Sequence, residues 1–244
     1  MSLLLSGTTR TLCFGTSKGG AGKTTSCFNV AGGLAKRGGR VHLLDMDKSD
    51  DNKSGALSRW MGHEGAAATG LTHSTPKPSE LTDELERLQE TGAYDWILID
   101  VAGAFDQTLI TAMTRADLTI MPAIPGSEGD VHDAAKVVHA MSGILRQFKA
   151  TLRYRILFTA VPFIVAEVEK FSFSEAERLK LNRFNSLLHV RPAYKEGGFT
   201  GLPVHFADQS RPPVAKAVAE LDLLIDELES VIAEHEQHQQ GAVA

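Results

Sequence analysis

Ser17-Lys18-Gly19-Gly20-Ala21-Gly22-Lys23-Thr24-Thr25 is the stretch on which the reading of this chain turns. Its glycines let the backbone curl so that successive amide N–H groups point inward at phosphate oxygens. Lys23 supplies a point positive charge, and the Thr24 hydroxyl is suited to sit on Mg²⁺. A side chain at those glycines would obstruct the cradle. On one side Thr11-Leu12-Cys13-Phe14 reads as a short buried strand, and on the other residues 24–36 read as a helix carrying Phe28, Val30, Ala31, Leu34 and Ala35. Strand, glycine loop and helix come in the order that aims a helix N-terminus at phosphate. The strict G-x-x-x-x-G-K-[ST] pattern fails at one position, because its first glycine falls on Ser17. Lys18 is the other departure, since Lys23 alone suffices to hold phosphate within one subunit.

Further along, Arg37-Gly38-Gly39-Arg40 reads as a turn, and Val41-His42-Leu43-Leu44 as a strand running into Asp45-Met46-Asp47. Trp96-Ile97-Leu98-Ile99 is a second near-continuous apolar strand, ending at Asp100 and followed by Val101-Ala102-Gly103. Carboxylates at the C-terminal ends of strands face the side where open α/β sheets bind ligands. Asp100 is placed there to hold a water of a Mg²⁺ shell. Strands and helices alternate, which predicts an α/β P-loop NTPase fold, a mostly parallel sheet flanked by helices on both faces. Residues 65–78 read as one long loop, followed by a helix over 80–90. Leu221, Leu224, Ile225, Leu228, Val231 and Ile232 recur at helical spacing and predict a final helix over 213–236, docked on the core and followed by a flexible tail.

The run from Lys18 to Thr24 matches K-G-G-x-G-K-[ST], and here the chain resembles the deviant Walker-A family that includes ParA and MinD. The P-loop, Asp45-Met46-Asp47 and the strand ending at Asp100 are similar, in order, to that family's P-loop, switch I, and Walker-B strand with switch II. The similarity continues through Ala116 to Ala123 with Pro125, through Arg191-Pro192-Ala193-Tyr194-Lys195-Glu196-Gly197-Gly198, and through Gly201-Leu202-Pro203-Val204, so it spans about residues 11–234 of a single domain. It is nearest to small partition ATPases without an N-terminal DNA-binding domain, with VirC-type proteins of conjugative plasmids as relatives.

The resemblance implies ATP and Mg²⁺ as cofactors. Gly19, Gly20, Ala21, Gly22, Lys23, Thr24 and Thr25 would hold the phosphates, and Lys18 would reach across a homodimer to the partner's ATP. Thr24 and Asp100, the latter through water, would place Mg²⁺, and Asp47 would orient the attacking water. The family usually follows this last residue with Pro-Gln, whereas this chain has Lys48-Ser49. Residues 203–208 are, by resemblance, the adenine-contact loop. The implied activity is ATP hydrolysis, slow alone and stimulated by a ParB-like or adaptor protein. It would drive an ATP-bound dimer that binds DNA without sequence preference and positions a plasmid, chromosome or protein assembly. Two rivals remain: a metabolic synthetase or kinase on a related P-loop fold, and a non-catalytic DNA-binding accessory protein of conjugative transfer.

Composition agrees with a single α/β domain: 244 residues, 43% hydrophobic, formal net charge −5. About ten residues precede the first strand, so no separate reader domain is expected there. Met1-Ser2-Leu3-Leu4-Leu5 lacks a basic n-region, and no apolar run approaches a membrane span. The expected location is cytoplasmic and nucleoid-associated. Cys13 and Cys27 suit buried thiols in a reducing compartment and form no C-x-x-C pair.

MinD-like members attach to membranes through a basic C-terminal amphipathic helix. Here residues 217–244 hold seven acidic residues and no Lys or Arg, so no membrane attachment by that route is expected. Residues 151–216 carry ten basic residues against six acidic, a local excess hidden beneath the overall charge. Lys170, Arg178, Lys180, Arg183, Arg191, Lys195 and Arg211 are the candidate DNA contacts, although Arg178, Lys180 and Arg183 do not share one helical stripe. Asn52-Lys53-Ser54-Gly55 lacks the aspartate of a guanine-reading N-K-x-D motif, which favours ATP over GTP. The nine histidines show no metal-ligand spacing.

Overall fold

The computed structural model describes residues 9–47, 55–127 and 129–243. Apolar runs of five or six residues form the strands β1 (Arg10–Phe14), β2 (Val41–Met46), β4 (Trp96–Val101), β5 (Leu118–Ala123) and β6 (Tyr154–Phe158), while β3 is the three-residue Thr72–Ser74. They make one sheet in the order β3-β2-β4-β1-β5-β6, and every strand pairing among the described residues is parallel. The chain crosses from β1 outward to β2 and β3, returns through β4, and then leaves on the other side through β5 and β6. β1 thus sits where the strand order reverses, which opens a crevice at its C-terminal end.

Side-chain alternation sends each strand's apolar residues to two separate cores. Leu12, Phe14, Trp96 and Leu98 face α1 (Lys23–Lys36), α2 (Ala56–Met61), α7 (Pro192–Thr200) and α8 (Pro212–Val243). Cys13, Ile97, Ile99 and Val101 face α3 (Leu81–Glu90), α4 (Gln107–Arg115), α5 (Asp130–Gln147) and α6 (Glu167–Arg178). Both faces are therefore covered, as the continuous apolar character of the strands requires. Cys13 and Cys27 are fully buried, and burial pushes their thiols up, with Asp100 adding to the effect.

Two expectations change. Residues 65–78 are not one loop. They contain a 3₁₀ turn over Glu64–Thr69 and the edge strand β3, which pairs His42 with Thr72 and Leu44 with Ser74. The reason is a buried histidine: His42 Nδ1 lies 2.8 Å from Thr72 Oγ1 and Nε2 lies 2.9 Å from Ser74 Oγ, so β2 needs hydroxyls beside it. Burial lowers the His42 pKa to about 4, leaving the ring neutral and able to accept one of these bonds. The final helix also runs past 236, to Val243.

Most acidic residues of α8 are engaged by basic side chains or backbone amides of the neighbouring elements. Arg37 reaches Asp222, Asp226 and Glu229 at 3.2, 2.7 and 3.4 Å, Arg10 pairs with Glu236, and Glu227 accepts from the backbone N–H groups of Asn185 and Ser186. Among the described residues no helix is long and apolar enough to cross a membrane.

α8 seats closely on α1 because Gly33 presents no side chain, and the segment at Pro203 does so because Gly32 presents none. A Cβ on Gly32 would lie 2.2 Å from Pro203 Cβ, and one on Gly33 would lie 2.2 Å from Ile225 Cδ1. A mid-helix glycine costs about 1 kcal/mol relative to alanine, whereas overpacking a filled interface costs about 1–3 kcal/mol, so the contact outweighs the propensity. Gly33→Ala is expected to lower the denaturation midpoint, with a net loss of up to about 2 kcal/mol. A rise in the midpoint would show that α8 is not seated this closely.

Candidate nucleotide site

The site lies at the C-terminal ends of β1, β2 and β4. The loop from Gly15 to Gly22 leaves β1 and feeds α1, and Gly20 and Gly22 have φ of 78° and 91°, values that L side chains rarely adopt. Gly19 and Gly20 are exposed at the rim, while Ala21 and Lys23 are buried. Two outside contacts hold the loop. Thr159, just past β6, donates its hydroxyl to the Ala21 carbonyl at 2.9 Å. Gly103 lies so close that a Cβ there would sit 2.6 Å from Gly19 N, which brings the segment after β4 directly against the loop.

Lys23 Nζ crosses the loop to donate to the Lys18 carbonyl at 2.8 Å. Burial lowers its pKa, against which Asp100 and Asp47 act as nearby negative charges. Lys18 does not project outward. Its amine donates to Ser127 Oγ at 3.0 Å and to Asp130 Oδ1, in the turn and first residue that open α5. Asp130 is 5% exposed, and its other oxygen accepts from Ile124 N at 2.9 Å.

Two aspartates stand side by side in the ladder, Asp45 on β2 opposite Asp100 on β4. Both are buried, but their surroundings differ. Asp45 accepts from Asp47 N, Ser58 N and Ser58 Oγ at 3.1, 2.9 and 2.5 Å. Asp100 is fully buried with neither oxygen in a hydrogen bond. Desolvation pushes its pKa up to about 8; the nearby Thr24 hydroxyl and Lys23 temper the rise, and Asp45 and Asp47 add to it. A buried carboxylate with both oxygens orphaned, beside Thr24, is the donor set of a hard divalent cation, so the residues present fit Mg²⁺. Asp47, just beyond β2, is half-buried and near enough to act electrostatically on both Lys23 and Asp100. Lys48 and Ser49 lie outside the described residues.

The structure thus brings Lys18, Lys23, Thr24, Asp47 and Asp100 around one crevice. Asn29 ties the late segment to α1, donating to Tyr194 O and accepting from Val204 N. Sequence reasoning missed Ser127, Asp130 and Thr159. A Gly-Ser turn with an aspartate at a helix start was visible after Pro125, but nothing in the pattern linked it to Lys18.

The seven candidate DNA contacts form a less uniform set. Lys170, Arg178, Arg183 and Arg211 are paired with Glu167, Glu175, Glu177 and Glu196. Arg191 is not open to a DNA backbone, since its side chain is 13% exposed, bonds Glu220 at 2.5 Å and lies over the Phe163 ring. It is withdrawn as a candidate. Lys180 and Lys195 are exposed and have no ion pair among the described residues.

A family model described as an AAA domain (AAA_31) matches residues 9–64, which hold the glycine loop, α1 and β2 with Asp45 and Asp47. The chain is 28% identical over 189 residues to the maintenance of carboxysome distribution protein A of Gloeobacter kilaueensis, covering 77% of this chain and 80% of that one. It is 30% identical over 135 residues to the chromosome-partitioning ATPase Soj of Thermus thermophilus, covering 46% of this chain and about half, 54%, of Soj. The fold matches that of the septum site-determining protein MinD from Pyrococcus horikoshii, solved with Mg-ADP, at a TM-score of 0.63 and 20% identity over 92% of this chain and 98% of that one. With the two-lysine loop, the parallel sheet and these relatives together, the chain is similar to the ParA/MinD family of deviant Walker-A ATPases and shares its fold.

Proposed function

We propose that this protein is an ATP-dependent, dimerising ATPase that positions or segregates a cargo, DNA or a protein assembly, through ATP-regulated, sequence-independent DNA binding. The observation that carries the reading is the pairing of a glycine loop closed by Lys23 with an orphaned, buried Asp100 beside Thr24. The relatives add the direction, since their names speak of carboxysome distribution and chromosome partitioning.

The chemistry follows from phosphoryl transfer, in which positioning and charge stabilisation carry the rate. The loop amides and Lys23 hold the β- and γ-phosphates, and Asp47 orients the attacking water. Thr24 and Asp100 would hold Mg²⁺, which when bound supplies charge neutralisation on the phosphate oxygens. Lys18, now on Asp130 and Ser127, leaves them to reach the partner subunit's nucleotide, so that the dimer forms around ATP. Hydrolysis removes the γ-phosphate and with it that attraction, which makes nucleotide state a switch on dimerisation and DNA binding. A ParB-like or adaptor protein accelerates the step.

Three outcomes are expected. Lys23→Ala weakens nucleotide binding by at least about tenfold, as loss of a charge-assisted contact implies, whereas Lys18→Ala binds ATP normally but loses dimer-dependent turnover. A Lys18→Ala protein that dimerised and hydrolysed ATP like the native one would end the trans reading. In co-sedimentation, ATP but not ADP retains the protein on DNA, salt weakens that retention steeply, and anionic liposomes retain none of it. Retention on liposomes alone would replace DNA with membrane.

The third concerns pH. The Asp100 pKa lies above its ordinary value of 3.8, at about 8, so the nucleotide-free protein binds this proton more tightly folded than unfolded. Its contribution to stability is full below about pH 3.8 and is lost as pH rises through about 8. Asp100→Asn removes that part of the pH dependence. Identical pH profiles of thermal stability for the two proteins would contradict it.

A further inference from the structure

We propose that Asp45 is a positioning residue: its carboxylate ties the end of β2, where Asp47 follows, to the start of α2, and this tie sets where Asp47 stands during hydrolysis. The proposal rests on the reading of Asp47 as the residue that orients the attacking water.

Asp45 and Asp100 are ladder neighbours with opposite equipment. Asp45 is the engaged member of the pair: its Oδ1 takes the Asp47 N–H at 3.1 Å, and its Oδ2 takes both the Ser58 N–H at 2.9 Å and the Ser58 hydroxyl at 2.5 Å. A carboxylate with both oxygens engaged by protein donors and 1% exposed is not free to serve a cation, whereas Asp100 is. The two carboxylates divide the work: one faces the ligand, the other binds the protein to itself.

What it binds is specific. Asp47 and Ser58 lie eleven positions apart in the chain, and one side chain fastens both. Gly55 then packs into the same point. A Cβ there would lie 2.3 and 2.5 Å from the two Asp45 oxygens and 2.5 Å from the Asp47 carbonyl. Its φ of −56° is open to any residue, so contact and not conformation requires glycine at 55. α2 itself is held from behind, with Trp60 edge-on to Phe28 of α1 at 5.4 Å and Gly198 of α7 against the indole. Asp45 therefore references Asp47 to a helix fixed on α1 and α7. Small displacements of a positioning group are expensive in rate, on the order of a hundredfold per ångström in well-aligned reactions.

The test is single-turnover hydrolysis of ATP by the full chain with Mg²⁺, alongside ATP affinity and thermal stability, for Ser58→Ala, Ser58→Thr, Asp45→Asn, Asp47→Ala and the Asp47→Ala/Ser58→Ala double variant. Ser58→Ala is expected to lower the hydrolysis rate about tenfold, the scale of one hydrogen bond to a charged group, with ATP affinity unchanged. Asp45→Asn should lower it at least as far, and Ser58→Thr should restore it. In the Asp47→Ala background Ser58→Ala should cost nothing further, because the residue being positioned is gone; a merely structural loss would add. Native rates in Ser58→Ala and Asp45→Asn beside an inactive Asp47→Ala would overturn the proposal and leave the role of Asp47 standing. An additive loss in the double variant would overturn it as well. A native rate in Asp47→Ala would instead remove the reading on which it rests. Should Asp45→Asn fail to fold, Ser58→Ala decides the matter alone, since it keeps the backbone bond and loses only the hydroxyl.

Discussion

A carboxylate with no partner at the centre of a parallel sheet is the constraint around which the rest of this structure is arranged. Asp100 is fully exposed to burial's cost, flanked by apolar Ile99 and Val101, with neither oxygen bonded. An ionised carboxylate in such a place is strongly disfavoured, and the group responds by shifting its pKa upward. The apolar environment that makes the strand stable makes the aspartate unstable unless something arrives to receive it. The loop, Lys23, Thr24 and the orphaned oxygens are complementary to the same missing charge distribution, anionic phosphate with a divalent cation between. Binding then supplies what folding left open.

The acidic C-terminal helix bears on partners differently once its contacts are known. As a string of letters it is a negative face, and negative faces repel both DNA phosphate and anionic lipid. In the fold, Asp222, Asp226 and Glu229 surround Arg37, Glu236 holds Arg10, Glu220 gathers His189, Arg191 and Tyr194, and Glu227 caps two backbone amides. These carboxylates are structural ligands that clamp α8 to the α1 side of the sheet. Within residues 151–216, α6 matches Lys170 and Arg178 to glutamates three residues away. Exposed pairs of this kind are worth little to stability, yet they neutralise the surface on which a DNA reading would lean. Of the seven candidate contacts, Lys180 and Lys195 are exposed and without an ion pair among the described residues.

The fold was legible where the physics is local. A glycine loop between a strand and a helix has few alternatives, and β1, β2, β4 and the α1 helix follow from apolar periodicity and the loop they flank. Lys23, Thr24 and Asp100 were legible for the same reason, each at a fixed distance from a strand end. β3 was not, because Thr72-His73-Ser74 carries no apolar signal and becomes a strand only through hydroxyls offered to buried His42, thirty residues earlier. Ser127, Asp130 and Thr159 were missed for a related reason: each acts on the loop across more than a hundred residues of chain. Arg191 shows the reverse error, a basic residue counted as surface that Glu220 and Phe163 enclose. Sequence states a residue's charge, but only the fold states whether that charge is already answered.

Lys18 is the case where this distinction matters most. A lysine held by a buried carboxylate looks locked, and breaking a buried pair normally costs several kcal/mol because the charge left behind is bare, about 3–5 kcal/mol in measured systems. Here the residue left behind is not bare. Asp130 keeps the Ile124 amide on one oxygen and the Ser127 hydroxyl, 3.0 Å away, on the other. Lys18 itself is a third exposed, with a side-chain accessibility of 34%, so its departure uncovers no large apolar surface. Ser127 also changes from sharing the lysine to serving the aspartate alone, without moving. Asp130 is thus a carboxylate that holds the Lys18 amine while keeping protein donors of its own on both oxygens.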